Sequence, residues 1–447
     1  MTSEAAVPAL PSRQTQEYSP QQGALGGLSR IWLVAAGLCF AWASQFSYAA
    51  LVQPMFEYAG MVYDPGIAGR MPLLMLAAVV IPLGLLSPRL LPGHLFALVV
   101  FAFVYVSIFT VAPHALGEDV FLPIAPILIA SMALIVCAAN LQLPLRTSGN
   151  DVAFKRLLWL VLGLVALPLI VTAVQNGVQL PSFSEIYDLR SELNIGGSAG
   201  YAIQGYTFAI GPVTIAYALT QKKHWLALTG IGIYVLCYAL TFQKTLVIAP
   251  ILVVMVWVLL GRVNRARTWM ALGFYAFPLL MALALALTSP DWAPYATGYV
   301  LDRMYAIPGQ IFANYVDFFS RNPHTWFSHV HGVDWFVTYP YDKPLPLLIG
   351  ENYPGGNQNA SFWTQDAVAG AGVWAIPVLS IIFGAVLVLV NTAARDLDPR
   401  FALTAVSMSA QRFSDGSLPT ALFSGGLTLL IVMLWLAPRG EASGVVK

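Results

Sequence analysis

Apolar runs long enough to cross a bilayer recur along almost the whole chain, and that recurrence leaves few folds open. A spanning helix needs about 20 mostly apolar residues, because hydrocarbon cannot satisfy exposed backbone groups. Runs near that length can be read at 31 to 51, 71 to 86, 95 to 113, 120 to 139, 157 to 175, 199 to 220, 225 to 241, 245 to 260, 268 to 288, 366 to 390, 401 to 412 and 418 to 436. The runs at 71 to 86 and 401 to 412 are short, so about twelve spans are expected, within a range of ten to thirteen. The chain is 58% hydrophobic and 10% charged, far from the usage of a soluble domain. The expected fold class is an all-α polytopic membrane protein.

Charge asymmetry sets the expected orientation, since Lys and Arg collect in cytoplasmic loops. An inside amino terminus places 15 of the 22 Lys and Arg residues in the cytoplasm. The chain then divides into a cytoplasmic tail (1–30), a bundle of about nine spans (31–288), a large external loop (289–365), closing spans (366–436) and a second tail (437–447). No charged-then-apolar signal pattern precedes the first span. Cys39, Cys137 and Cys237 lie in apolar runs, where thiols act as small hydrophobes, so no disulfide or metal site is expected. No internal repeat, phosphate-binding glycine loop or nucleic-acid patch is present, and the cytoplasmic loops are too short for a nucleotide-hydrolysing domain. No cofactor, metal or nucleic-acid partner is therefore expected.

The 289–365 loop is where chemistry is expected. It holds 17 aromatic residues in 77, which a disordered linker would not, so it should fold against the protein or the membrane surface. Ile311, Phe312, Tyr315, Phe318 and Phe319 recur at helical spacing, and Asn322-Pro323 ends that helix. Asp317 and Arg321, four apart, share a side and can pair or face a ligand. Glu351, Asn357, Asn359 and Trp363 belong to a stretch mixing side-chain amides with rings, a combination suited to a sugar. His331, with His329 or Glu351 as alternatives, is a candidate base for an acceptor hydroxyl. Outside the loop, Arg190 lies between Asp188 and Glu192 before a Gly196-Gly197 turn, where it can fork onto a phosphate or simply be neutralised. Lys244 interrupts an apolar junction and is expected to face a polar cavity or to snorkel. Arg412 precedes Asp415 in the last external turn.

Taken together, these residues resemble bacterial O-antigen and exopolysaccharide repeat-unit polymerases, the Wzy type, within the O-antigen ligase-like superfamily. The likeness rests on Asn357-Gln-Asn-Ala-Ser-Phe-Trp followed by Asp366-Ala, on Arg303 to Pro323, on Lys244 and on Ser417 to Gly426. It implies a GT-C-like inner-membrane glycosyltransferase that uses neither metal nor nucleotide-sugar. Such an enzyme moves a growing glycan from undecaprenyl diphosphate onto the non-reducing sugar of another lipid-linked repeat unit, alongside a chain-length regulator and a flippase. By the same resemblance the functional basic residues are Arg190 with Gly196 and Arg303 with Gly309. An O-antigen ligase acting on lipid A core, and a transporter of lipid-linked sugars, are the alternatives; the absence of repeated halves weighs against the transporter.

Overall fold

A computed structural model describes residues 20–69, 71–145, 149–177, 197–262, 267–414 and 416–439. Within these residues ten helices are long and apolar enough to cross a membrane, as a polytopic membrane protein requires. In chain order the main helices are α1 (Gly27–Ala59), α2 (Met71–Leu85), α3 (Pro92–Leu116), α4 (Glu118–Ala139), α5 (Asp151–Gln175), α6 (Gly197–Thr220), α7 (His224–Thr241), α8 (Lys244–Arg262) and α9 (Thr268–Thr288). They continue with α10 (Ile307–Arg321), α11 (Trp363–Ala371), α12 (Val373–Ala393), α13 (Pro399–Arg412) and α14 (Leu418–Leu436). The two short apolar runs of the sequence become α2 and α13, which fall outside those ten.

Polar locks define one end of the bundle. Asn391 near the end of α12 accepts from Gly93 N at 2.7 Å and donates to the Ala139 carbonyl at 2.7 Å, tying α3, α4 and α12 together. A Cβ on Gly93 would collide with the Asn391 amide, so only glycine allows that approach. Arg89, Arg262, Arg267, Arg395, Arg400 and Arg439 gather at this arginine-rich end. The opposite end carries the long 289–372 connection.

Of the two surfaces expected to hold that connection, protein or membrane, part of it packs on the protein. Residues 293–305 turn back along α9, and Tyr305 donates to the Tyr275 carbonyl at 2.9 Å. The chain reverses at Ala306, and α10 climbs out again along α3. Gly309 N donates to Ser107 Oγ at 2.8 Å. Ser107 lies nine residues before the end of α3, about 14 Å at 1.5 Å per residue, so the hairpin is sunk into the bundle. The strong apolar face of α10 drives this insertion: Ile311, Phe312, Tyr315, Phe318 and Phe319 are all buried. A second dip follows. Phe362 packs edge-on against Phe383 and Phe413, at 5.0 and 4.5 Å between ring centres, and α11 rises from there to the start of α12.

α13 is started by Asp398, whose carboxylate accepts from Arg400 N at 2.7 Å and Phe401 N at 3.2 Å, with Pro399 in the first turn. Its residues from Phe401 to Ala410 are all buried, so it is a central post rather than a lipid-facing span.

Candidate functional site

Where α13 ends and α14 begins, three elements converge on one turn. Leu418 N donates to Asp366 Oδ2 at 2.8 Å, which fastens the turn to α11. The other oxygen of Asp366 lies 3.8 Å from His329 Nε2, beyond hydrogen-bond length. On the far side of the ring, His329 Nδ1 is 2.7 Å from Thr325 Oγ1, whose hydroxyl donates to the Ala369 carbonyl at 3.0 Å. That hydroxyl can then only accept from the ring, which places the ring proton on Nδ1 and leaves Nε2 bare and facing Asp366. Nε2 is buried with no hydrogen-bond partner.

Burial governs both groups. The Asp366 carboxyl is pushed up to about 7 by desolvation, partly offset by the Leu418 amide. Desolvation pushes His329 down to about 4. A neutral imidazole beside a carboxyl that titrates near neutrality is a pair able to take up one proton as a unit.

Around this pair the 357–366 motif works mainly as scaffold. Asn314 Nδ2 donates to Gln358 Oε1 at 3.1 Å, Tyr315 Oη to the Gln358 carbonyl at 3.1 Å, and Ser361 Oγ to the Pro308 carbonyl at 2.6 Å. Asn359 accepts from Gln365 Nε2 at 2.5 Å, while Asn357 is exposed. Trp363 is fully buried and donates its indole N–H to Ser380 Oγ at 3.0 Å, so it is a core anchor of α11 and offers no ring face to a ligand.

Arg412 stands at the near end of the same turn, its guanidinium carbon 5.2 Å from the centre of the Phe208 ring in α6. Phe208 lies between Gly205 and Ile210, which line a cleft of about 960 Å³ between α5, α6 and α14. The cleft wall is chiefly aliphatic, with Gln175, Ser198 and Ser424 among its polar members. Arg190 and Gly196, in the connection from α5 to α6, lie outside the described residues.

The other expected residues fall elsewhere. Lys244, the first residue of α8, has its ammonium 4.9 Å from the centre of the Tyr299 ring. Arg303 is exposed four residues further on, beside the buried Asp302, whose Oδ1 has no hydrogen-bond partner. Lys244 thus packs on one aromatic ring, and Arg303 lies on the inward-running arm before the reversal at Ala306, whereas Tyr315 near Asp366 lies on α10 beyond it. Asp317 and Arg321 pair with each other, and Tyr353 donates to Asp317 at 2.6 Å. Glu351 is held by Lys343 at 2.7 and 2.8 Å. His331 is 86% exposed and lies 3.4 Å from Asp334. These are surface arrangements of small energetic weight. Asp366 went unassigned in the sequence although a carboxylate opening an apolar run is costly and was itself a signal.

Among the described residues no group of three or more His, Cys, Asp or Glu side chains could hold a metal ion. Comparison of the chain with family models, with curated proteins and with solved structures returns no match.

Proposed function

We propose that the protein is an inner-membrane glycosyltransferase that moves a glycan from a polyprenyl diphosphate carrier to a sugar hydroxyl of a second lipid-linked repeat unit. The observation that carries this reading is a turn with an arginine at one end and a buried Asp–His pair at the other, leading into the helix α14 that walls an aliphatic cleft. In it the cleft between α5, α6 and α14 takes the carrier chain, and its volume is at the upper end of ligand-binding cavities. Arg412, packed on Phe208 of the helix α6 that walls the cleft, is the group to take the diphosphate, since a guanidinium can hold phosphate oxygens as charge grows on the leaving group. Asp366 and His329 receive the proton that the acceptor hydroxyl loses as its oxygen bonds to the anomeric carbon and the carbon–diphosphate bond breaks. The exposed Asn357 and the surface aromatics of the 322–356 segment offer contacts for the glycan.

The reading places the 322–356 segment in the periplasm and both termini in the cytoplasm, as the Lys and Arg asymmetry directs. A ligase would share the donor half of this site, so the acceptor decides between the two. The test is polymer formation by purified protein in proteoliposomes, with lipid-linked repeat units alone or with lipid A core added. Arg412→Gln should lower the initial rate by roughly 100- to 1,000-fold, as removal of an oxyanion donor does. Polymer made by Arg412→Gln at the wild-type rate, or no transfer by the wild type to either acceptor, refutes the assignment.

A further inference from the structure

A second cleft, at the arginine-rich end, is independent of that reading. It lies between α8, α9 and α13, has a volume of about 260 Å³ and is walled by Leu252, Val256, Phe274 and Leu403 among other apolar side chains. Its length is set by its walls: Leu252 to Leu260 on α8, and Arg267 at the cap of α9 to Tyr275, each span eight helical steps, about 12 Å. The hydrocarbon of one leaflet is about 15 Å deep. The cleft therefore matches a single leaflet, open at one end to the headgroup level.

At that end stands Arg267, the one charged residue of the wall. Its backbone bridges that of Arg89, and its Nη1 reaches Ser29 Oγ at 3.4 Å. Arg400, one turn before Leu403, lies over the Trp257 ring at 3.9 Å and donates to the Trp257 carbonyl at 2.8 Å. Its guanidinium packs against Gly261, where a Cβ would collide with it. Among the described residues, none of these three arginines has a carboxylate oxygen within 4.0 Å. Arg267 at the mouth of a leaflet-deep apolar slot, with Arg400 on the neighbouring Trp257 and Arg89 bridged to it through the backbone, forms a complement to an anion with a hydrocarbon tail. Basic pockets between spanning helices recognise anionic lipid headgroups in this way.

We propose that this cleft is a binding site for an anionic phospholipid of the leaflet at the arginine-rich end. One acyl chain lies between α8 and α9, and the phosphodiester rests on Arg267 with Arg89 and Arg400 beside it. A zwitterionic lipid fits the slot but brings a cation to the arginines. Free phosphate fits the arginines but leaves the slot unused.

The experiment is native mass spectrometry of the full-length protein, released from nanodiscs holding equal amounts of phosphatidylglycerol and phosphatidylcholine of the same chain length. Retained lipid should be mainly phosphatidylglycerol. Arg267→Gln should reduce that retention about fivefold, the worth of one arginine at an anionic surface. Ala271→Phe, which fills the slot and leaves every arginine in place, should abolish it, with melting temperature reported for both variants. Excess inorganic phosphate should not displace the lipid. Equal retention of the two lipids, unchanged retention in either folded variant, or displacement by inorganic phosphate would overturn the proposal. Should Ala271→Phe fail to fold, a spin label near the chain terminus of phosphatidylglycerol gives the same decision. Its signal must be immobilised in wild type and mobile in Arg267→Gln, and equal mobility counts against the site.

Discussion

Replacing Asp366 with asparagine tests the proposed chemistry at its most specific point. Asparagine keeps an oxygen for the Leu418 amide, so the turn between α13 and α14 stays fastened, but the side chain no longer titrates near neutrality. With the carboxyl at about 7, roughly one-tenth of the wild-type protein carries the ionised base at pH 6 and about nine-tenths at pH 8. The initial rate should therefore rise about tenfold across that interval and level off above it. His329, held down to about 4, stays neutral throughout and adds no second limb. In Asp366→Asn the slope should vanish and the plateau fall by roughly 100- to 10,000-fold, the contribution of a positioned general base. The assay is initial polymerisation rate in proteoliposomes buffered from pH 6 to 8, with protein amount matched. A flat wild-type profile, or an Asn variant that keeps the slope, refutes Asp366 as the base. The same group makes a stability statement of known sign. A carboxyl at 3.8 when unfolded and about 7 when folded binds more protons in the native state between those values. Its contribution is full below pH 3.8 and is lost as pH rises through 7, so Asp366→Asn should remove that decline.

Two further outcomes follow from packing and topology. Gly309→Ala places a methyl inside van der Waals contact of the Ser107 carbonyl, so α10 and α3 must part; a loss of about 1–3 kcal/mol should appear as a lowered melting temperature, while Gly273→Ala, which meets nothing within 4 Å, should not lower it. Single cysteines at exposed Asn357 and Lys223, in a background lacking Cys39, Cys137 and Cys237, should react oppositely with an impermeant thiol reagent in intact cells, and equal labelling would overturn the two-ended arrangement.

The spanning helices were legible because lipid demands apolar runs of about 20 residues, a length that few soluble segments reach. The inserted hairpin was not, because amphipathic periodicity in α10 reports that one face is buried without saying whether the burying surface is membrane or protein. Trp363 illustrates the same gap. An indole among amides suits a sugar or a core, and only the neighbouring Ser380, seventeen residues on, decides for the core. His331 and His329 differ by two positions and are equivalent in sequence. The turn that buries one and exposes the other depends on Thr325 and Trp326 bonding to the Ala369 and Gly370 carbonyls, far along the chain. Lys244 packs on Tyr299, a ring in a stretch that propensity alone does not place.

The enclosure of α13 bears on how the chain is made. Arg400, Thr404, Ser407, Ser409, Gln411 and Arg412 leave a 14-residue segment too polar and too short to partition into lipid from the translocation channel by itself. Among the described residues it packs chiefly on α3, α6 and α8, which are synthesised before it, and the turn that leads on to α14 is fastened by Asp366. The consequence expected of such a segment is late integration, drawn inward by its packing partners rather than by lipid. On that account a ribosome that stalls before Leu418 should leave behind a bundle without its central post.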